Sequence, residues 1–394
     1  MAGPLDGFRI VDATQMISGP MATMTLGDQG ADVIKIEPPG IGDLTRALGG
    51  IRRGMSPTFA VVNRNKRSVV LNLHDPRGLE ALKRIVARAD LFIQNFRPGV
   101  ADRMGIGYDA LRAVRPDLVY VSISGFGESG PYAGQRVYDP VIQALSGLAD
   151  IQSDADTGRP RMMRLIIPDK VTALTAAQAM TAALLARERT GRGQHVRLAM
   201  LDAVIAFEWP EGMAGLTFVE PGKAVARPAG TRDLIFETAD GYITAGAISD
   251  AEWAAMCRAL ERPEWLDDDR FNTPAARVRN ADARLELTAE VVRTHPSAYW
   301  LARMRELGVP CAPVLRRVEV LANEQVRANR LIVESIHPHA GAMREPRPAP
   351  RFEETPAELR RHAPILGEHT DEVLAEAGIS ADEIATLRAA AVAG

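Results

Sequence analysis

Cysteine is scarce in this 394-residue sequence, with only Cys257 and Cys311 present. Two thiols cannot build a disulfide framework or a cysteine-rich metal site, and their scarcity suits a reducing compartment such as the cytoplasm. No window approaches the ~18 unbroken apolar residues of a membrane span. The start, Met1-Ala-Gly-Pro-Leu-Asp6, lacks a basic flank with an apolar run behind it, so neither membrane insertion nor export is expected. An excess of one charge is missing too. Lys and Arg number 47 against 50 Asp and Glu, a net charge of −3 that argues against a general nucleic-acid binder. The seven histidines are scattered, with only His337 and His339 close together, so no metal site is expected. The loop after the first expected strand, Ala13-Thr-Gln-Met-Ile-Ser-Gly-Pro20, holds no Gly-x-Gly-x-x-Gly, which disfavours a conventional dinucleotide site. P-loop, His-Glu-x-x-His and Gly-x-Ser-x-Gly patterns are absent as well, removing the common NTPase, metalloprotease and α/β-hydrolase readings.

What is present is ordinary globular material, 46% hydrophobic and 25% charged, in a chain long enough for two domains or three. Short β-branched runs alternate with helical stretches over the first half. Strands are expected at Phe8–Asp12, Ala31–Glu37, Ser68–Leu73, Asp90–Asn95 and Leu118–Ser124, with helices at Pro20–Gln29, Pro76–Ala89 and Tyr108–Arg115. Asp169–Arg189 is almost uncharged after Lys170 and predicts a long helix buried nearly all round. The pattern predicts an α/β protein: a Rossmann-like large domain with a mostly parallel sheet, joined to a smaller α+β domain. The expected boundaries are a large-domain part at 1–208, a linker at 209–232 and a small domain at 233–325. A linker and C-terminal segment at 326–394 would return to the large domain, its basic Met343–Arg351 stretch serving as the linker.

Asp169 follows Leu165-Ile-Ile-Pro168 and stands at the start of the long helix, where free N–H groups favour a carboxylate. It reads as a helix cap, and a carboxylate beside an apolar segment is also a nucleophile candidate. Asn63-Arg-Asn-Lys-Arg-Ser68 gathers three cations, and Arg97, Arg103 and Arg136 lie in loops after strands. They read either as solvated surface or, if they converge at the carboxyl ends of the strands, as a pocket for phosphates. Tyr138 and Gln143 read as packing residues at a helix start, and Cys311 as inert core.

These residues, with Ser18-Gly-Pro20, Gly30–Glu37, Asn65–Ser68, Asn95-Phe-Arg-Pro-Gly99, Gly125-Phe-Gly127, Tyr138–Gly147, Thr190–Gln194 and Leu366–Thr370, occur in an order that resembles the family III CoA-transferases. That group contains formyl-CoA transferase and carnitine-CoA transferase, and the likeness runs nearly end to end. It implies that CoA moves from an acyl-CoA to a carboxylic acid through covalent intermediates on one aspartate, here Asp169. It also implies CoA contacts at Asn95, Phe96, Arg103, Met104, Arg136 and Tyr138, and a first loop, Met16 and Ile17, facing the acyl group. CoA would be a substrate rather than a resident cofactor, and two interlocked copies would form a homodimer. Ile17 and Pro38 stand where the formyl-CoA enzyme has Gln and Arg, and residues 209–234 hold no counterpart of its glycine-rich lid. A larger, less polar acid than oxalate or formate is therefore expected. Two alternatives follow: an α-methylacyl-CoA racemase-like isomerase, whose His would be replaced here by Tyr138, or a non-catalytic acyl-CoA binding protein.

Overall fold

The computed structural model describes residues 3–154, 156–219 and 233–394. The chain divides into two compact units. The first comprises Met1–Asp150, Met162–Glu211 and Arg330–Gly394, and the second Ile151–Arg161 and Gly212–Asn329.

In the first unit six strands form one sheet: β1 (Arg9–Asp12), β2 (Asp32–Glu37), β3 (Lys66–Val70), β4 (Leu91–Gln94), β5 (Val119–Ser124) and β6 (His195–Ala199). Their order is β3-β2-β1-β4-β5-β6, and every pairing is parallel. Period-two alternation explains how both faces are buried. Val11, Phe92 and Tyr120 point to the face covered by helices Pro76–Val86, Tyr108–Val114 and Thr370–Glu376. Ile10, Leu91, Ile93, Val119 and Val121 point to the face covered by the first helix, Ser18–Asp28, and by the long helix, Ile167–Thr190. Each fully buried Val, Leu, Ile or Phe contributes about 1.5–3 kcal/mol relative to exposure, so the two faces dominate the stability of this unit. Local signals set the helix ends. Asp75 caps Pro76–Val86 by accepting the Arg77 N–H at 2.9 Å, and Gly191 at φ 67° closes the long helix in the left-handed conformation.

The long helix is not buried all round. Leu174 and Leu185 are 58% and 50% exposed, because only one of its two apolar faces meets the sheet and its neighbours. The basic run at the start of β3 is not solvated surface, and it lies away from the carboxyl ends of the strands, since each cation is buried against an acid. Lys66 Nζ lies 2.9 Å from Asp12 Oδ2, Arg64 pairs with Asp28 at 2.7 Å, and Arg67 pairs with Asp32, Glu372 and Glu376. Met343–Arg351 is not simply a linker either, since it begins inside a strand of an antiparallel hairpin. The carboxyl segment carries that hairpin, β10 (Ile332–His337) and β11 (Gly341–Pro346), which follows in the chain the second unit's β7 (Ile235–Glu237), β8 (Tyr242–Ala245) and β9 (Cys311–Pro313). The last residues then return to the sheet, where the Thr370 hydroxyl accepts from the Val70 N–H at 3.1 Å.

The second unit packs the antiparallel β7-β8-β9 sheet against helices Asp250–Ala259, Ala281–Val292 and Ser297–Glu306. Its core gathers Trp253, Trp265, Phe271 and Trp300. Cys257 is buried there and Cys311 half-buried; both are free thiols, and burial pushes the pKa of each up, Cys257 to about 11. Neither is a thiolate near neutral pH. Residues 220–232 of the expected 209–232 linker lie outside the described residues; the remainder includes the short turn Ala214–Leu216.

Candidate active site

In a sheet of this order the sequence of strand addition reverses between β1 and β4, and the loops leaving those strands part to open a crevice at their carboxyl ends. A cavity of about 570 Å³ lies there. Gln15 and Met16 from the loop after β1 and Ser18 at the start of the first helix line one wall, and Asn95, Phe96, Arg97 and Pro98 from the loop after β4 line the other. Arg136, Val137 and Tyr138 come from the loop after β5, and Asp169 comes from the start of the long helix.

The two principal loops are tied together. Asn95 Nδ2 donates to Gln15 O at 2.8 Å, and Asn95 Oδ1 accepts from Gln15 N at 3.0 Å. Met16 is held with φ at 70°, a left-handed conformation uncommon for a residue with a side chain. Its N–H donates to Asp43 Oδ1 at 3.2 Å, and Asp43 in turn pairs with buried Lys35 at 2.8 Å. Below it, burial alone would raise the Asp12 carboxyl, but Lys66, Lys35 and the Thr14 and Thr23 hydroxyls hold it far below the usual carboxylate range. Fully charged, this network fixes the first loop from beneath.

Asp169 is the third residue of its helix, not the residue before it, and it does not cap that helix. The cap is supplied by Asp139, whose Oδ2 accepts the Asp169 N–H at 3.2 Å while its Oδ1 accepts from Gln143 Nε2 at 2.6 Å. Gln143 also accepts the Met163 N–H at 2.9 Å, so the buried pair Asp139 and Gln143 holds the segment leading into the long helix. The Asp169 side chain is thereby left free of capping duty. Burial, and then the Asp139 charge, push its carboxyl up to about 6, against hydrogen bonding from the Ser18 hydroxyl and amide. It makes no ion pair among the described residues.

Of the residues singled out in the sequence, the structure brings Met16, Asn95, Phe96, Arg136, Tyr138 and Asp169 to one cavity. Tyr138 is 64% exposed at the start of helix Asp139–Ser146. Ile17 is buried under the first loop and does not line the cavity. Met104 packs against the core below the sheet, and Arg103 is exposed at the end of the short helix Val100–Arg103; neither lines the cavity. Ser18 and Asp139 were missed as members of the site. The Asp139-Pro140 pair at a helix start was a legible signal, but its partner lies 30 residues away. Among the described residues no group of three or more His, Cys, Asp or Glu side chains is arranged to hold a metal. Nor is any helix there long and apolar enough to cross a membrane.

A doubly wound parallel α/β fold with a ligand crevice at its switch point is thus the class of protein in hand. The chain belongs to CoA-transferase family III, whose model matches residues 5–370, and it is a CoA-transferase. It is 35% identical over 380 residues to the succinyl-CoA:glutarate CoA-transferase of Homo sapiens, covering 95% of this chain and 86% of the other. It is 32% identical over 418 residues to the formyl-CoA:oxalate CoA-transferase of Shigella sonnei, covering 98% and 99%. A CaiB/BaiF family protein from Brucella suis has the same fold, with a TM-score of 0.82 and 32% identity over 96% of this chain and all of the other. These relatives do not favour the racemase or the silent-binder alternative.

Proposed function

We propose that the protein moves CoA from an acyl-CoA to a carboxylic acid through covalent intermediates on Asp169. One observation carries this reading: Asp169 is a partly buried carboxylate lining the switch-point cavity, in no ion pair among the described residues and with its helix capped by another residue. A carboxylate stripped of water and counter-charge is a stronger nucleophile than one held in an ion pair. An oxygen of Asp169 attacks the thioester carbonyl carbon, the C–S bond breaks and CoA leaves as its thiolate, giving a mixed anhydride. The thiolate attacks the Asp169 carbonyl carbon and the donor acid departs as a carboxylate, leaving an aspartyl-CoA thioester. An acceptor carboxylate attacks that carbon, expelling the thiolate. The thiolate then takes the acceptor's acyl carbon, and Asp169 is regenerated. No proton is consumed and no ATP is needed, because each bond broken is matched by one of similar group energy.

In this reading Asn95, Phe96, Arg136 and Tyr138 contact CoA, and Arg97 and Arg136 face its phosphates. Arg103 and Met104, outside the cavity lining, contribute less. Met16, Leu44, Ile123 and Met200 give the cavity an apolar side, which suits an acid larger than formate or oxalate; the relative acting on succinyl-CoA and glutarate has acids of that kind. A second copy of the chain is part of the proposal. The exposed Leu174, Leu185 and Phe207 support it, and the interlocked form rests on the family resemblance. A cytoplasmic location accords with two free thiols.

Asp169→Ala is expected to lower transfer by about 10³-fold or more while CoA still binds by calorimetric titration. Retained turnover would remove Asp169 from the chemistry.

A further inference from the structure

Three polar side chains on three neighbouring strands form a hydrogen-bonded row that the transfer steps leave unused. Gln94 ends β4, Ser122 pairs with it in register on β5, and His195 opens β6. His195 Nε2 lies 2.8 Å from Ser122 Oγ, which also receives Gln94 Nε2 at 3.0 Å. Gln94 Oε1 in turn accepts the Phe96 N–H at 2.7 Å. Gln94 and Ser122 are buried, and Phe96 lines the cavity.

Donor and acceptor accounting gives the row a direction. The Phe96 amide can only donate, so Gln94 must present its oxygen there and its nitrogen to Ser122. Ser122 Oγ accepts that bond, and its own proton is left for His195. With no other acceptor for the Ser122 proton among the described residues, His195 Nε2 takes it, which makes the ring neutral with its proton on Nδ1. Among the described residues Nδ1 is buried without a hydrogen-bond partner, so the Ser122 bond and the ring contacts set the orientation. Those contacts are Tyr108, stacked at 4.8 Å, and Tyr120, edge-on at 5.0 Å. Burial and then Arg197 push His195 below the ordinary imidazole value, against the opposing charges of Glu128, Asp102 and Asp109.

We propose that His195, Ser122 and Gln94 are positioning residues: their row fixes the Phe96 peptide, and with it the wall of the cavity on which acyl-CoA rests. Asn95, the preceding residue, grips Gln15, so the row sets the spacing of both principal loops. The proposal rests on the reading of this cavity as the acyl-CoA site.

Two substitutions at one position test it. Gln94→Leu removes the link to Phe96. Gln94→Glu keeps an acceptor for the Phe96 N–H and takes the Ser122 proton with its second oxygen, so the row reverses and His195 donates from Nε2. Steady-state kinetics should show KM for acyl-CoA rising about fivefold or more in Gln94→Leu, with kcat within about twofold, and returning to within about twofold of the parent in Gln94→Glu. A parent-like KM in Gln94→Leu, or an equal loss in both variants, overturns the proposal. Imidazole ¹⁵N shifts, assigned by the signal lost in His195→Gln, give a readout independent of turnover. The Nδ1–H tautomer is expected in the parent protein and an Nε2–H form in Gln94→Glu, and an Nε2–H form in the parent also overturns the row. Absence of any transfer by the parent protein, with the expected tautomers present, would instead count against the acyl-CoA reading of the cavity.

Discussion

Asp169 differs from Asp12, Asp28 and Asp43 in what faces it. Asp12 and Asp43 meet buried lysines and Asp28 meets Arg64, whereas Asp169 meets another carboxylate and the hydroxyl and amide of Ser18. A carboxyl raised to about 6 gives a pH dependence of definite sign. Transfer needs the ionised form, so kcat/KM should fall about tenfold for each pH unit below about 6. Removing the like charge in Asp139→Asn should move that midpoint downward, and a pH–rate profile of the two proteins checks this. Stability runs the opposite way. The folded value lies above the unfolded one, so ionisation costs nothing below about pH 4 and costs its full amount above about 6. Asp169→Asn should therefore stabilise the protein above pH 6, by roughly 1–3 kcal/mol in urea unfolding, and leave it unchanged in acid.

At the scale of elements, the parallel sheet and the long helix were legible because their signals are local: β-branched runs bounded by turns, and 24 helical residues closed by a glycine. Strand β3 begins two residues earlier than its hydrophobicity suggested, since Lys66 enters the sheet paired to Asp12, 54 residues away. The same distance hid the true role of the whole basic run. Its partners Asp28, Asp32, Glu372 and Glu376 are scattered along the chain, and no spacing rule connects them. The hairpin at Ile332–His337 and Gly341–Pro346 was masked by a composition rich in Arg and Pro. Asn95, Phe96 and Arg136 follow strand ends, where a parallel sheet places its ligands, and so reached the cavity as expected of that position. The Asp139 cap depended on a fold-level meeting of two helices. Lys66→Ala leaves Asp12 as a buried charge with its main partner removed, so unfolding should show a loss of about 3–5 kcal/mol.

For the molecule as a whole, the apolar side chains left exposed on the long helix and on helix Met200–Glu208 ask for a cover. Light scattering should give a mass near twice the 42.7 kDa of one chain. Interlocked copies cannot part without unfolding, so that mass should persist on dilution; dissociation to monomers would contradict the interlocked form. The central claim is that one carboxylate carries the transferred group, and trapping measures this most directly. The protein is incubated with acyl-CoA and hydroxylamine, digested and read by mass spectrometry. The account predicts a hydroxamate on the peptide containing Asp169, dependent on acyl-CoA and absent in Asp169→Ala. Active protein whose Asp169 peptide stays unmodified under those conditions would contradict it.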